Sequence, residues 1–272
     1  MGFLIGGLIE VLVPENFMAY FLGKGKKSIF IAVLLGFLAS ACSHGILAIA
    51  VSLYKKGAST AATLAFLLAA PWANLAITFL LFALFGPKAL FIIGGAILVA
   101  IVSGLLLQVL EQRGLIEGHK EKITLSIKNI VWYWPGFSNL FKKLLASFVS
   151  LAKMVLWWVL IGFFLASILG SFIPESFMNR FFGANFLGML ATLGLATVVE
   201  ICSEGSAPLA FEIWQKTGAF GNVFVFLMAG VVTDLTEFGI VATNIGKRAA
   251  IALMAVSIPV VLLLGFLFNN LL

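Results

Sequence analysis

The sequence ACSHGILAIAVSLYKKGAS at residues 41–59 and the sequence EICSEGSAPLAFEIW at residues 200–214 occupy matching places in a chain that repeats itself at a constant spacing of 160 residues. The alignment needs no gap, and it superimposes the only two cysteines of the chain, Cys42 and Cys202. A duplicated apolar unit with polar residues in the middle of a segment is typical of a transporter whose site lies between the repeats. The repeat therefore predicts both the organisation of the chain and the place of its site.

The composition indicates an integral membrane protein. Of the 272 residues, 62% are hydrophobic and only 10% are charged, which leaves too little polar surface to cover a soluble domain of this size. A helix needs about 20 apolar residues to cross a bilayer. Apolar stretches of that length run over residues 28–54, 58–85, 89–110, 148–173, 184–211, 221–241 and 249–271.

The opening segment, residues 1–13, is too short to cross a membrane alone. It matches only the second half of the stretch 148–173, so it is either a half-span or the remainder of a longer segment. With it, each repeat has four segments, and an even number predicts two repeats in the same orientation. The expected fold is thus an all-α polytopic membrane protein with about eight transmembrane segments, with discontinuous helices at midplane. Its predicted parts are a first repeat at 1–112, an interfacial connection at 113–147 and a second repeat at 148–272.

The net charge of +6 reflects membrane topology better than nucleic-acid binding, because the basic residues lie in short connections between the spans. If every segment crosses once, the connection at 113–147 shares a side with Lys55, Lys56 and Lys216. The positive-inside rule then puts that side, and both termini, in the cytoplasm of a prokaryotic cell. We expect the lipid bilayer to be a partner and nucleic acid not to be one, and the sequence leaves a homo-oligomer open.

The two polar clusters of each repeat are predicted to meet near the middle of the bilayer. Counting back from the turn at residues 55–57 at about 1.5 Å per residue puts Cys42 about 20 Å below the surface. Counting forward from the same turn puts Pro71 and Asn74 at a similar depth. The arithmetic is the same whether Cys42 and Pro71 are tips of re-entrant hairpins or midpoints of continuous spans, so both topologies remain open.

Ionisable groups at that depth cost about 3 kcal/mol each and are usually tolerated only beside a cavity, a partner or an ion. Buried hydrogen bonds that fix helix packing are the alternative explanation for such polar groups. The basic and acidic residues at this depth are His44, Glu200, Glu204, Asp234 and Glu237. The four carboxylates have no Arg or Lys in the same spans to neutralise them, so we expect Glu200, Glu204, Asp234 and Glu237 to take part in proton or cation coupling.

Residues four apart share a helix face, as Glu200 and Glu204 do, whereas Cys202 would point to the opposite side of a regular helix. A thiol and a carboxylate can therefore meet one substrate only if the helix is broken. Glycine and proline permit such a break, and the candidates for it are Gly45, Pro71, Gly205 and Pro208. The predicted substrate-binding residues are Cys42, Ser43, His44, Asn74, Cys202, Ser203 and Glu204.

At these residues the chain resembles the predicted permeases that include the ArsP-like organoarsenical efflux proteins, several of which carry a Cys-Ser-Cys type motif in mid-membrane. The resemblance also extends over AFLLAAPWAN at 65–74 and FLMAGVVTDLTEFG at 226–239. It implies a secondary permease that moves trivalent arsenic or another soft, thiol-seeking species outward. Cys42 and Ser43 match the motif, but His44 replaces its second cysteine, so the first half lacks a vicinal thiol pair.

The sequence therefore predicts a permease for a soft metalloid or metal, with Cys42 and Cys202 as transient ligands of the substrate and no cofactor. The alternative is a proton- or cation-coupled carrier of a small anion or organic solute in which the cysteines only pack. An enzyme is not expected. A redox enzyme would need closely spaced paired cysteines, and no phosphate-binding loop for ATP hydrolysis is present.

Overall fold

The computed structural model describes residues 22–23, 25–39, 43–55, 57–118, 160, 164, 167–168, 175–199 and 203–272. The regular structure of these residues is helical, with no strand among them. Three helical stretches are long and apolar enough to cross a membrane, namely Ala76–Gln112, Phe220–Asn244 and Lys247–Leu271. The prediction of an all-α membrane protein is therefore confirmed. The opening segment 1–13 and most of the predicted connection, residues 119–147, lie outside the described residues.

Five helices form the described part of the first half. In chain order they are α1 (Lys26–Ala39), α2 (Ser43–Lys55), α3 (Thr60–Ala69), α4 (Leu75–Phe85) and α5 (Ala89–Gln112). Short 3-10 turns, Ala70–Ala73 and Gly86–Lys88, link α3 to α4 and α4 to α5. Only α5 is long enough by itself to cross a bilayer at about 1.5 Å per residue.

Six helices form the described part of the second half. They are α6 (Glu175–Phe182), α7 (Phe186–Val199), α8 (Ser203–Thr217), α9 (Phe220–Val232), α10 (Leu235–Asn244) and α11 (Lys247–Leu271). Four of them begin 160 residues after a helix of the first half. The pairs are α1 with α7, α2 with α8, α3 with α9 and α4 with α10. The spacing seen in the sequence thus recurs in the positions where helices begin.

The helix pair α1 and α2 enters and leaves the bundle at the same end. The backbone N–H of Ser59 donates to the carbonyl of Leu22 over 2.9 Å, so the chain just before α1 lies beside the start of α3. The end of α2 reaches that start through a turn of only a few residues. The described helices α1 and α2 therefore form a re-entrant pair, which is one of the two topologies that the sequence left open.

The pair α7 and α8 repeats this arrangement in the second half. The side-chain amide of Asn222, in the first turn of α9, donates to the carbonyls of Phe182 and Gly183 over 2.7 and 3.0 Å. The amide of Asn179 donates to the carbonyl of Lys216 near the end of α8 over 3.2 Å. The beginning of α7 and the end of α8 consequently lie together at one end of the bundle.

Hydrogen bonds define two opposite ends of the bundle. At the Glu117 end, the Glu117 carboxylate accepts from the backbone N–H groups of Arg248 and Ala249, and the Glu117 carbonyl accepts from the Thr60 hydroxyl. At the Lys88 end, the Lys88 ammonium donates to the carbonyl of Leu272 over 3.2 Å. The same ammonium lies 5.0 Å from the centre of the Trp214 ring, a cation–π distance.

The two halves have opposite orientations, which corrects the prediction of repeats running in the same direction. Helix α5 starts after Lys88 and ends at the Glu117 end, where Glu111 accepts from the N–H of Ala61. Helix α11 starts at the Glu117 end and finishes at the Lys88 end. Helices in matching positions of the sequence thus run antiparallel. Each re-entrant pair adds no crossing, whereas the sequence prediction of an even count treated it as one crossing.

The inverted arrangement also corrects the predicted grouping of basic residues. Lys55 ends α2 at the Glu117 end, whereas Lys216 lies next to Asn179 at the Lys88 end. These two lysines therefore face opposite sides, and they cannot both count toward the charge of one side. Localisation in a membrane does not depend on this grouping.

We predict that Glu117 stabilises the Glu117 end in a pH-dependent way. Burial opposes ionisation of its carboxyl, but hydrogen bonds from the backbone N–H groups of Glu117 itself, Arg248 and Ala249, together with the Arg248 charge, outweigh burial and lower the pKa of Glu117 from 4.5. A folded-state pKa below the unfolded one gives stability that is present above the unfolded value and is lost as the pH falls through the folded one. At neutral pH, Glu117→Gln should cost about 1 kcal/mol, because it removes a carboxylate from the amino end of α11.

Thermal unfolding of the purified protein in detergent, followed over a pH series, measures this effect. The gap between the melting temperatures of the wild type and Glu117→Gln should be widest at neutral pH and should narrow below about 4.5. Glu212→Gln on α8 is the matched control, with an expected change near zero. A gap that stays constant down to acidic pH would show that the Glu117 charge does not stabilise this end.

Candidate functional site

Asn74 joins the two halves in the interior of the bundle. Its backbone is extended, and its side-chain oxygen accepts from the N–H of Ala76 over 3.0 Å, which caps the start of α4. Its side-chain N–H₂ donates to a carboxylate oxygen of Glu204, in the first turn of α8, over 2.8 Å. Asn74 is 2% exposed and Glu204 is 4% exposed. One buried amide thus holds the amino ends of two helices from different halves together.

Asp234 occupies the matching position in the second half and has the same local role. Its backbone angles are φ −59° and ψ 122°, against −61° and 124° for Asn74. Its carboxylate accepts from the N–H groups of Thr236 and Glu237 over 2.7 and 3.1 Å, which caps α10. The amide at position 74 can also donate a hydrogen bond, whereas the carboxylate at position 234 only accepts.

Four helices begin in the interior and run outward. Helices α4 and α8 start at the Asn74–Glu204 contact and extend for 11 and 15 residues toward the Lys88 end. Helices α2 and α10 pack against each other and extend for 13 and 10 residues toward the Glu117 end. At 1.5 Å per residue these lengths are roughly 15 to 23 Å, or about half of a bilayer. Their amino ends bring partial positive charge to the middle of the protein, which stabilises carboxylates there.

Hydroxyl groups surround the breaks between helices. Ser203 and Ser206 in α8 are buried, as is Thr233 at the end of α9. The Thr233 hydroxyl lies 2.9 Å from the hydroxyl of Thr197, in the last turn of α7. Sequence analysis missed Thr197, because a single threonine in an apolar helix gives no signal unless the facing residue is known.

Glu237 differs from the other carboxylates at this level. It lies in the first turn of α10 and is 3% exposed. Among the described residues, neither of its carboxyl oxygens has a hydrogen-bond partner. The sequence predicted an intramembrane carboxyl group here, and the structure places it in the protein interior without a partner.

Several predicted site residues fall at places that the structure describes in part or not at all. Cys42, Cys202 and Glu200 lie outside the described residues. Ser43 and His44 form the start of α2, although their side chains are not described. The predicted break residues are distributed differently. Pro71 lies in the 3-10 turn between α3 and α4, whereas Gly45 is inside α2 and Gly205 and Pro208 are inside α8.

Gly45, Gly205 and Pro208, which were predicted to permit a break, thus lie within described helical turns. Described helix stops at Ala39 and Val199 and resumes at Ser43 and Ser203, before the glycines rather than at them. Pro208 is the sixth described residue of α8, so it lies past the first turn and removes one intrahelical hydrogen bond. In the sequence, Cys42 and Cys202 each stand one residue before the first described residue of a helix, Ser43 and Ser203.

The described residues contain no group of three or more His, Cys, Asp or Glu side chains that could hold a metal ion. The described part of the site is therefore a hydrogen-bonded junction of helix ends, together with the buried carboxyl group of Glu237 in the first turn of α10. An arrangement of this kind can bind a small polar or charged species between the halves.

Comparisons with known proteins agree on one class. The family model ArsP_1, described as a predicted permease, matches residues 1–270. A Mycobacterium tuberculosis protein named as a predicted permease, Rv2963, is 25% identical over 95% of this chain and 69% of its own length. The Bacillus subtilis UPF0718 protein YcgR is 27% identical over 96% of this chain and 88% of its own length.

A third relative comes from Streptococcus mutans and is named as a subunit of a predicted two-component membrane permease complex. It is 26% identical over 86% of this chain and 78% of its own length. No solved structure gives a significant match to the chain.

Proposed function

The chain belongs to the ArsP_1 family of predicted permeases, and on that premise we propose that it is a secondary permease that moves a soft, thiol-seeking metalloid or metal species out of the cell. Family membership indicates a membrane transporter, and the apolar helices and bacterial relatives indicate an integral protein of a prokaryotic membrane. The substrate, the direction and the coupling are the parts that we propose.

The hydrogen bond between Asn74 and Glu204 is the observation that carries the proposal. It joins half-length helices from two oppositely oriented halves at a depth where neither helix has reached an end of the bundle. Transporters with inverted repeats bind their substrates at such junctions of discontinuous helices. Rocking of one half against the other would then expose the junction to each side in turn.

The cysteines give the proposed site its preference for soft species. Cys202 is adjacent in the chain to Ser203 and Glu204, both of which are buried at the junction. Cys42 has the same place before α2. Thiolates select soft metals and metalloids, and one thiolate from each half provides a two-coordinate site that can form and dissolve as the halves move. Ser43, His44 and Ser203 complete the proposed set of polar contacts, and Glu200 is proposed to act in coupling.

An aromatic cluster at the Lys88 end supports transport by alternating access. Phe85 lies 5.5 Å from Phe211 and 5.6 Å from Trp214, and Trp214 lies 6.0 Å from Phe220, all between ring centres. The matching positions at the Glu117 end carry no such cluster, since they are Val51, Tyr54, Thr60 and Ile245. In an inverted repeat this asymmetry corresponds to a state that is closed more firmly at the Lys88 end.

A second candidate is a carrier of a small anion, in which the cysteines only pack. The amino ends of α4 and α8 meet in the interior, and helix amino ends attract anions. The buried carboxylate of Glu204 at the same place opposes an anion, which is why we rank this candidate second.

Replacing each cysteine tests the proposal. Cys42→Ser and Cys202→Ser change only sulfur to oxygen, so we expect normal amounts of protein in the membrane and at least a tenfold loss of efflux, a difference of about 1.4 kcal/mol in the binding of the transported species. The measurement is resistance and efflux in a host sensitive to trivalent organoarsenicals, with membrane abundance determined by immunoblot. Ser52→Ala, in α2 away from its start, is the control. Full efflux in both cysteine variants would refute the thiol site and favour the anion carrier.

A further inference from the structure

Glu237 is a carboxyl group whose burial has no structural explanation. It is 3% exposed in the interior of a membrane protein, and neither carboxyl oxygen has a hydrogen-bond partner in the part of the chain that the structure describes. Burying an ionised carboxylate without a partner is among the costliest arrangements in a protein, and buried polar groups are usually hydrogen-bonded. A group retained at that cost is expected to act in function.

The two other described carboxylates at this level have partners that fix them. Asp234 caps α10 by accepting from Thr236 and Glu237, and Glu204 accepts from Asn74. Taking up a proton would weaken these hydrogen bonds, because a carboxylate accepts them more strongly than the neutral acid does. Glu237 has no such bond to lose, so it can exchange a proton without disturbing the junction between the halves.

We propose that Glu237 is the group that carries the coupling proton, while Glu204 and Asp234 are positioning residues held by the hydrogen bonds that they accept. The inference rests on the proposed transport function. Uptake of a proton makes Glu237 neutral, which its apolar surroundings favour, and release requires the movement of the halves to bring water or a basic group to it. The coupled step is thus the gain of a proton from one side and its loss to the other.

The surroundings of Glu237 fit a proton better than a metal cation. Cations such as Ca²⁺ or Mg²⁺ need about six oxygen ligands, whereas a proton needs none beyond the carboxyl itself. Within the part of the chain that the structure describes, no cluster of three His, Cys, Asp or Glu residues occurs. The absence of a hydrogen-bond partner at both oxygens of Glu237 agrees with a neutral acid in an apolar setting.

Few charged or titratable groups occur on the elements that pack against α10. At the start of α10 itself, the only other titratable group is the capping residue Asp234. Helix α11 has Lys247 and Arg248 at its start, beyond the far end of α10 and about 10 Å from Glu237 along the helix axis. Helix α2 has His44 in its first turn and Tyr54 and Lys55 in its last. Of these residues of α2, His44 is the one in the turn that begins at the interior level.

Carbodiimide labelling tests the state of Glu237 without depending on transport. Dicyclohexylcarbodiimide adds to protonated carboxyl groups in apolar surroundings, and the adduct is located by mass spectrometry of peptides. In wild-type membranes at about pH 6 we expect an adduct on Glu237 that is at least threefold more abundant than any adduct on Glu212, the half-buried glutamate of α8. Glu237→Gln should lose this adduct, and Glu237→Asp should keep it. A folded wild-type protein that remains unlabelled at Glu237 at that pH would overturn the proposal.

Transport by purified protein in vesicles gives the second readout. In Glu237→Gln, the accumulation driven by a pH gradient should be at least tenfold lower than in the wild type. The variant should still exchange labelled for unlabelled trivalent organoarsenical, because exchange needs no net proton movement. Glu237→Asp should restore part of the driven accumulation. If Glu237→Gln retains the pH-driven accumulation of the wild type, the inference is wrong. If the wild type itself shows no exchange, the proposed substrate is wrong instead, and the labelling result still decides the protonation of Glu237.

Discussion

Asn74→Asp is expected to abolish transport while leaving α4 capped. The aspartate can still accept from the N–H of Ala76, as Asp234 accepts from the N–H groups that begin α10. It cannot donate to Glu204, and it places a second carboxylate where the side chains of Asn74 and Glu204 lie 2.8 Å apart. Removing the partner of a buried charge costs about 3 kcal/mol or more. This cost lowers the equilibrium constant for forming the contact between positions 74 and 204 by roughly a hundredfold.

The reciprocal exchange provides the matched control for this variant. Glu204→Gln alone keeps an oxygen that accepts from Asn74, so we expect it to fold with nearly the stability of the wild type. In the double variant Asn74→Asp with Glu204→Gln, the new amide can donate to the new carboxylate. The melting temperature in detergent should therefore recover relative to Asn74→Asp, and neighbouring residues with such coupling typically show about 0.5 to 3 kcal/mol of interaction energy.

The outcome that contradicts this account is specific. If Asn74→Asp unfolds at the temperature of the wild type and transports at its rate, the hydrogen bond does not join the halves. If the double variant is as unstable as Asn74→Asp, the loss comes from Asn74 alone rather than from its pairing with Glu204.

Among the glycines that the structure describes, Gly221 is the one at which an added methyl group is expected to destabilise the protein most. A β-carbon at Gly221 would overlap the carbonyl oxygen of Gly265, so α9 and α11 would have to separate. The backbone N–H of Gly221 also donates to the side chain of Asn269 over 2.6 Å, a bond that such a movement breaks. Overpacking costs about 1 to 3 kcal/mol and sometimes more.

Gly94→Ala on α5 is the matched control, because a β-carbon there would meet no atom within 4 Å. Alanine is favoured over glycine in a helix by about 1 kcal/mol, so this control should be neutral or slightly stabilising. We expect Gly221→Ala to lower the melting temperature by about 10 °C and to reduce the yield of monodisperse protein in size-exclusion chromatography. Equal melting temperatures for the two variants would show that α9 and α11 do not approach as closely as described.

The sequence was sufficient to predict the protein class and the convergence of its polar residues. The apolar composition indicates a membrane protein, because it leaves too few polar residues to cover a soluble surface. The count of residues from the turns put Asn74 and Glu204 at similar depths, and the structure shows a hydrogen bond between them. Depth follows from helix rise alone, so it can be predicted without knowing which way a helix turns.

The direction of the helices could not be predicted in the same way. Residues 28–54 are apolar over a length that suits one crossing, yet they form two half-length helices that return to the same end. Hydropathy records how much apolar chain is present and carries no information about where it reverses. The evidence for the reversal is the bond between Ser59 and Leu22, a contact between distant residues of ordinary type.

The role of Glu117 was hidden for a related reason. A glutamate in a connection after a helix looks solvated in the sequence, and its function depends on the start of α11, more than 100 residues later. Capping by a residue far away in the chain leaves no local pattern. The same holds for Thr197 and Thr233, whose hydroxyls meet only because α7 and α9 pack together.

Flux of a trivalent organoarsenical through the purified protein in vesicles tests the central claim most directly. The claim is that the junction of Asn74 and Glu204, with a thiol from each half beside it, forms the transport site. The account predicts saturable flux by the wild type that exceeds the flux of protein-free vesicles at least tenfold, with Asn74→Asp reduced to the level of those vesicles. Flux of the wild type no faster than that of protein-free vesicles, or undiminished flux in Asn74→Asp, would contradict it.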